Sequence, residues 1–193
     1  MAVRLPAAER RQQLVDTALV LFAERGLHGT SMDDIADAAG VTKPVLYQHF
    51  ASKRALFLEL LDDVGKQLLD AIATATNAAD SPRRQVENGL TAYFQFVADH
   101  HNSFVLLFGD GSRRDEEFAE AVERVEAVIA EFIAALINVD LDADHRLLLA
   151  HAVVGLAEGA SRRWVAAGAV ESAQAAAGRV ADLAWAGLRA VHR

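Results

Sequence analysis

Apolar residues recur three and four places apart along almost the whole chain, and nowhere do they alternate in the two-residue rhythm of a half-buried strand. A first helix is expected over 8–25, with Leu14, Ala18, Leu21 and Phe22 on its inner face. Gly26 ends it, and Leu27 can fold back against that end. Residues 1–8 lack the pattern and are expected to be loose. Two short helices follow within 29–57. Thr30, with Asp33 three places on, has the form of a capping box for the first. Ile35, Ala36 and Ala39 give that helix its stripe, and Gly40 is suited to end it. Val41 fits the turn. Thr42 can cap the second helix, 43–49, with Pro44 in its first turn where no backbone donor is forfeited. Leu46 and Phe50, four apart, must share an inward face.

Ser52 begins a longer helix, 52–76, on which Phe57, Leu60, Leu61, Val64, Leu68 and Ile72 keep the period. No Pro- or Gly-rich linker interrupts it, and Gly65 is its one soft spot. A break at 77–82 precedes a helix over 82–101 with Val86, Leu90, Phe94 and Val97 inward. A short segment over 103–108 and a turn at 109–112 come next. The helix expected over 114–137 has the cleanest stripe: Phe118, Val122, Val125, Ile129, Phe132 and Leu136. Two more helices are expected over 143–167 and 171–191. The chain is therefore expected to be all-α, with about nine helices. Residues 1–54 form a three-helix helix–turn–helix domain, joined by a continuous helix to a helical domain over 55–193.

The second short helix turns an unusual face outward. Thr42, Lys43, Pro44, Val45, Tyr47 and Gln48 mix polar, apolar and cationic groups where solvation alone asks for none of this variety. Such a face suits a DNA major groove, where Lys and Gln read base edges and Val or Pro meets thymine methyls. Ser52 is followed by Lys53 and Arg54, positive charge in a first turn where the helix dipole disfavours it. That placement makes sense if the helix N-terminus and Lys53 together hold a phosphate. The plain alternative is a solvated basic pair.

Net charge changes this picture. The chain carries −8 overall, but residues 1–54 are near +1 and the rest near −9. Nucleic acid should then meet only the N-terminal end, through a few placed contacts and the avidity of a dimer. A hydrophobic content of 52% excludes a disordered chain, and the absence of cysteine excludes disulfides and thiolate metal sites. No secretory signal is visible, and the longest apolar run, 147–157, is too short to span a bilayer. A soluble, cytoplasmic protein that engages no membrane is expected.

Residues 10–60 resemble the N-terminal domain of the TetR family of bacterial transcriptional regulators. The resemblance rests on three series: Ala18, Phe22 and Gly26; then Thr30, Ile35, Ala36, Ala39, Gly40 and Val41; then Leu46, Tyr47, Phe50, Lys53 and Leu56. It covers about a quarter of the chain. It implies that Thr30, Tyr47, His49 and Lys53 grip phosphates, and Ser31 is a further DNA-binding candidate. It also implies that Thr42, Lys43, Pro44, Val45 and Gln48 face bases. No ligand residue is carried over by the resemblance.

Six of the nine phenylalanines fall between 94 and 132. They make either an ordinary aromatic core or a pocket for a small apolar or aromatic effector. The candidate pocket residues are Phe94, Val97, His101, Phe104, Phe108, Phe118, Val122, His151 and Trp164, with Tyr93 and Asn88 as further polar groups. His100, His101, His145 and His151 match no metal-ligand spacing, so no metal and no cofactor are expected. Ala152, Gly155 and Gly159, with Ala173, Ala177, Val180, Ala184 and Leu188, are small or apolar at helical spacing. They suit either packing within the chain or a four-helix bundle between two chains. No phosphate loop, nucleophile elbow or HExxH is present, and no enzyme is expected.

The sequence reading is a homodimeric DNA-binding regulator on a double-stranded, (pseudo)palindromic operator, with repression and release by an effector implied by the resemblance. Two rivals remain: an apolar-ligand carrier with a vestigial helix–turn–helix, and a DNA-organising protein without a ligand.

Overall fold

The computed structural model describes residues 6–109 and 115–191. Among them the chain forms nine helices: α1 Ala7–Arg25, α2 Met32–Ala38, α3 Lys43–His49, α4 Lys53–Asn77, α5 Pro82–Asp99, α6 His101–Phe108, α7 Glu116–Leu136, α8 Ala143–Ala166 and α9 Ala173–Leu188. Residues 1–5 of the segment expected to be loose lie outside the described residues, and of the rest Pro6 is the N-cap of α1 and Ala7 and Ala8 are already helical. Beyond Gly109, the turn expected over 109–112 lies outside the described residues, as does the expected helix start at 114.

The chain divides into two compact units. The first joins residues up to Val64 with Asn102–Ala121, so α6 and the start of α7 belong with the helix–turn–helix, a larger body than the expected 1–54. Its centre holds Leu14, Ile35, Leu46 and Leu56, each fully buried. Phe57 meets Phe22 edge-on at 5.2 Å and Phe118 at 4.4 Å, which ties α1, α4 and α7 through one aromatic row. Gly40 takes φ +66° and lets the chain reverse between α2 and α3, while the Val41 N–H donates to the Ala36 carbonyl at 2.9 Å.

The cap of α2 is one residue later than the sequence suggested. Ser31, not Thr30, is the N-cap. Its Oγ accepts from the Asp34 N–H at 3.1 Å, and the Asp34 carboxylate accepts from the Ser31 N–H at 2.7 Å. The Ser31 hydroxyl also donates to that carboxylate at 2.6 Å, and together with the Ser31 N–H it holds the Asp34 carboxyl below its usual range. Thr30 is turned inward instead, 1% exposed, with its hydroxyl 2.9 Å from the Gly26 carbonyl and 3.2 Å from that of Leu21. Its single proton serves chiefly the nearer carbonyl, that of Gly26, which lies past the last residue of α1.

The second unit runs over Gly65–His101 and from Val122 onward. Here α5 packs chiefly on α9, whose Ala176, Ala177, Ala181 and Ala184 are buried and small enough for close approach. Gly65 is not a soft spot. A Cβ there would sit 2.7 Å from both γ-carbons of Val125, so the glycine exists to let α4 and α7 meet.

Candidate nucleic-acid interface and effector cleft

The seven residues of α3 divide cleanly. Leu46 is fully buried and Phe50, its C-cap, is 2% exposed, so both anchor the helix to the first unit. Thr42, Lys43, Pro44, Tyr47 and Gln48 are exposed, and Val45 and His49 are half-buried. The structure thus gathers the residues expected to face bases on one open surface. The Lys43 Nζ lies 2.8 Å from an Asp33 carboxylate oxygen on α2, and that pairing raises its pKa. Lys43 is therefore pre-oriented, and must trade a carboxylate for any base or phosphate it meets.

Three of the expected DNA-binding residues need revision. Thr30 does not lie on the surface at all, for the reason given above. Ser31 is exposed, but its hydroxyl is occupied in the capping box. The Lys53 Nζ donates to the carbonyls of Leu27 and Thr30, both at 2.7 Å, so two of its three donors close the turn between α1 and α2. Lys53 is first a strut, and only its third donor can reach a phosphate. Ser52 caps α4 as expected, its Oγ accepting from the Ala55 N–H at 3.0 Å.

Arg54 has a role that the sequence did not signal. Its guanidinium donates to both carboxylate oxygens of Asp115, at 2.9 and 3.2 Å, and pairs with Glu117. It also lies over the Phe118 ring, 4.7 Å from the centroid. Asp115 is held below the usual carboxylate range chiefly by its hydrogen bond from Arg54. No local pattern could have found this pairing, because the partners are 61 positions apart. Arg11 performs a similar task elsewhere in the unit, pairing with Glu59 and lying 4.6 Å over the ring of Phe50.

The nine expected effector residues are divided between the two units. Phe104, Phe108 and Phe118 are buried in the first unit, where Phe104 meets Phe108 at 5.4 Å and Phe118 joins the aromatic row. They are core. Val97 and Val122 are buried in the second unit, and His101 and His151 are exposed. Asn88 spends its amide on the Ala75 carbonyl at 3.1 Å. Phe94 and Trp164 do meet, with centroids 5.7 Å apart, and both line an open cleft of about 540 Å³ in the second unit. Val170, Val180, Arg163 and Arg179 complete the part of its wall that bears on recognition. Nearby, Tyr93 is buried and donates to the Ser161 hydroxyl at 3.0 Å, since the single serine proton goes to the Glu158 carbonyl at 2.9 Å. Burial pushes the Tyr93 hydroxyl pKa up.

The residues expected at an interface between chains divide too. Ala173, Ala177 and Ala184 are at most 7% exposed within their own unit, so they are not available to a partner. They are small because α5 needs them so. Val180 and Leu188 are half-buried. Ala152, Gly155 and Gly159 on α8 stay exposed, and a Cβ at either glycine would meet nothing within 4 Å. Leu148 continues that stripe and is 67% exposed. No group of His, Asp or Glu among the described residues is placed to hold a metal, and no helix among them is long and apolar enough to cross a membrane.

Residues 14–60 match the family model described as bacterial regulatory proteins, tetR family. Residues 82–187 match the one described as tetracyclin repressor-like, C-terminal domain. The chain is 31% identical over 187 residues to the HTH-type transcriptional activator FasR of Mycolicibacterium smegmatis, covering 96% of this chain and 85% of that protein. It is 34% identical over 105 residues to the HTH-type transcriptional repressor KstR2 of Mycobacterium tuberculosis, a match to about half of each chain, 54% and 52%. Among solved structures, a TetR-like transcriptional regulator from Rhodococcus sp. RHA1 superimposes with a TM-score of 0.79 at 34% identity, over 96% of this chain and 99% of that one.

Proposed function

Because this chain belongs to the TetR family of bacterial transcription regulators, we propose that it acts as a homodimeric repressor released from a (pseudo)palindromic operator by a small effector. It is a DNA-binding regulator. The observation that carries the finer reading is the division of α3, with Leu46 and Phe50 buried and Thr42, Lys43, Pro44, Tyr47 and Gln48 open. Lys43 and Gln48 read base edges, Pro44 and Val45 meet thymine methyls, and Tyr47, His49 and the remaining donor of Lys53 position the backbone. Two copies of α3 then occupy successive major grooves about 34–36 Å apart.

Pairing of chains is supported by the exposed α8 stripe of Leu148, Ala152, Gly155 and Gly159, where the two glycines carry no side chain and permit close helix approach. The cleft beside Phe94 and Trp164 is the effector site. An effector that fits it better when the two α3 helices are away from groove spacing shifts the population off DNA. A change from 1:99 to 99:1 requires about 5.5 kcal/mol of differential affinity. The protein works in the cytoplasm, where its operator is, needs no cofactor and catalyses no reaction.

Activation is the second reading, since the relative matched over 96% of this chain is named an activator. The test is selection of bound fragments from randomised duplexes, followed by transcription in vitro from a promoter carrying the selected site. Repression requires an inverted repeat and a fall in transcript on adding protein. A rise in transcript establishes the activator, and selection without sequence preference overturns both.

A further inference from the structure

We infer that the cleft beneath the α8–α9 connection takes an amphipathic monoanion, an apolar body carrying one carboxylate, with Arg163 as its anion receptor. This rests on the reading of that cleft as the effector site. The volume of about 540 Å³ lies in the range of small-molecule sites. Phe94, Trp164, Val170 and Val180 make its wall apolar, and Val170 is 89% exposed at the edge.

The polar groups there are nearly all committed. The Trp164 indole N–H donates to the Glu171 carbonyl at 3.1 Å, so the ring offers a ligand its face and no donor. Arg179 pairs with the Glu171 carboxylate at 3.2 Å, which neutralises both. The Arg163 side chain has no ion-pair or hydrogen-bond partner among the described residues, and Glu171 Oε2, though 3.2 Å from Arg179, is buried and accepts no hydrogen bond. One open guanidinium fork beside an apolar wall matches one carboxylate. With two arginines and one carboxylate in the lining, the cleft carries one net positive charge, which a single carboxylate balances. The connection is held in shape by Gly168 at φ +81° and Ala169 at φ +47°, with the Ala169 N–H donating to the Trp164 carbonyl at 3.0 Å. That turn sets Val170 beside the arginine.

The competing account is that Arg163 merely complements the C-terminal dipole of α8. Calorimetric titration of the full chain with decanoate and with decan-1-ol separates the two. The anion reading expects decanoate to bind about ten-fold tighter or more. Arg163→Gln should erase that preference while leaving decan-1-ol unchanged. Ala167→Trp, which fills the cleft from an exposed lining position, should abolish binding of both probes. Equal binding of acid and alcohol, or a preference that survives Arg163→Gln, overturns the anion inference and leaves the cleft standing. Undiminished binding to Ala167→Trp overturns the cleft reading itself. No decanoate binding up to its solubility overturns the inference.

Discussion

Arg54, in the first turn of α4, grips Asp115, the residue just ahead of α7, through hydrogen bonds of 2.9 and 3.2 Å. The same guanidinium covers Phe118, and Phe118 abuts Phe57, so one residue joins a polar latch to the aromatic row of the first unit. The latch makes α6 and the start of α7 part of the body that carries α3. Exposed ion pairs contribute little singly, and salt weakens them, so the latch is best read through its charge dependence.

Asp115 is held below the usual carboxylate range by Arg54. A carboxyl depressed in the folded state stabilises fully above its unfolded pKa, and that stabilisation is lost as pH falls through the folded value. The wild type should therefore lose this contribution from about pH 4 downward. Arg54→Gln should lack it already at neutral pH and show a flatter melting-temperature profile in that window. Profiles that run parallel would show that the pairing contributes nothing through charge.

Lys53→Met separates a strut from a phosphate contact. Two carbonyls, those of Leu27 and Thr30, lose a charged donor, which should destabilise the fold by about 1–3 kcal/mol. The slope of operator affinity against salt should fall by no more than about one phosphate's worth. Denaturant unfolding and salt-dependent binding measure the two effects, and a large slope change without loss of stability would contradict the strut. Thr30→Val extends the comparison. It should cost about 1 kcal/mol of stability and leave the preferred operator sequence unchanged. Gln48→Ala should do the reverse, relaxing preference at particular base pairs by about 1–3 kcal/mol with stability intact.

The contrast between Thr30 and Ser31 shows what was legible in the sequence and what was not. Both are good caps, and each has an aspartate three places on, so local pattern cannot choose between them. The choice is made by carbonyls at the end of α1, a tertiary fact. The bounds of α3, by contrast, follow from Thr42, Pro44 and the Leu46–Phe50 spacing, and the structure reproduces them at Lys43–His49. The alanines of α9 fail for a related reason. Small residues at helical spacing announce a close neighbour without saying whether it is α5 or another chain. The aromatic cluster between 94 and 132 likewise announced burial, and only Phe94 from it lines the cleft.

Gly65→Ala tests the reassignment of Gly65 from soft spot to packing contact. Alanine gains about 1 kcal/mol in helix propensity. Its Cβ would meet both Val125 γ-carbons at 2.7 Å, and valine has little freedom to move aside, an overpacking cost of about 1–3 kcal/mol. Net destabilisation is expected, and Val125→Ala in the same chain should relieve it. A substitution that stabilises the single mutant by the full propensity gain would restore the soft-spot reading.

The two glycine-and-alanine faces call for opposite outcomes from the same kind of change. Gly159 is exposed on α8, so Gly159→Trp should leave the melting temperature of the isolated fold nearly unchanged while blocking close approach of a second chain. Sedimentation should then find monomers, and operator affinity should fall by the avidity of a paired binder, roughly 10²–10⁴-fold. Ala177 is fully buried against the chain's own neighbours, so Ala177→Leu should destabilise by about 1–3 kcal/mol whatever the assembly state. If Gly159→Trp sediments as a dimer with operator affinity intact, the two copies of α3 must be held at groove spacing by some surface other than the α8 stripe.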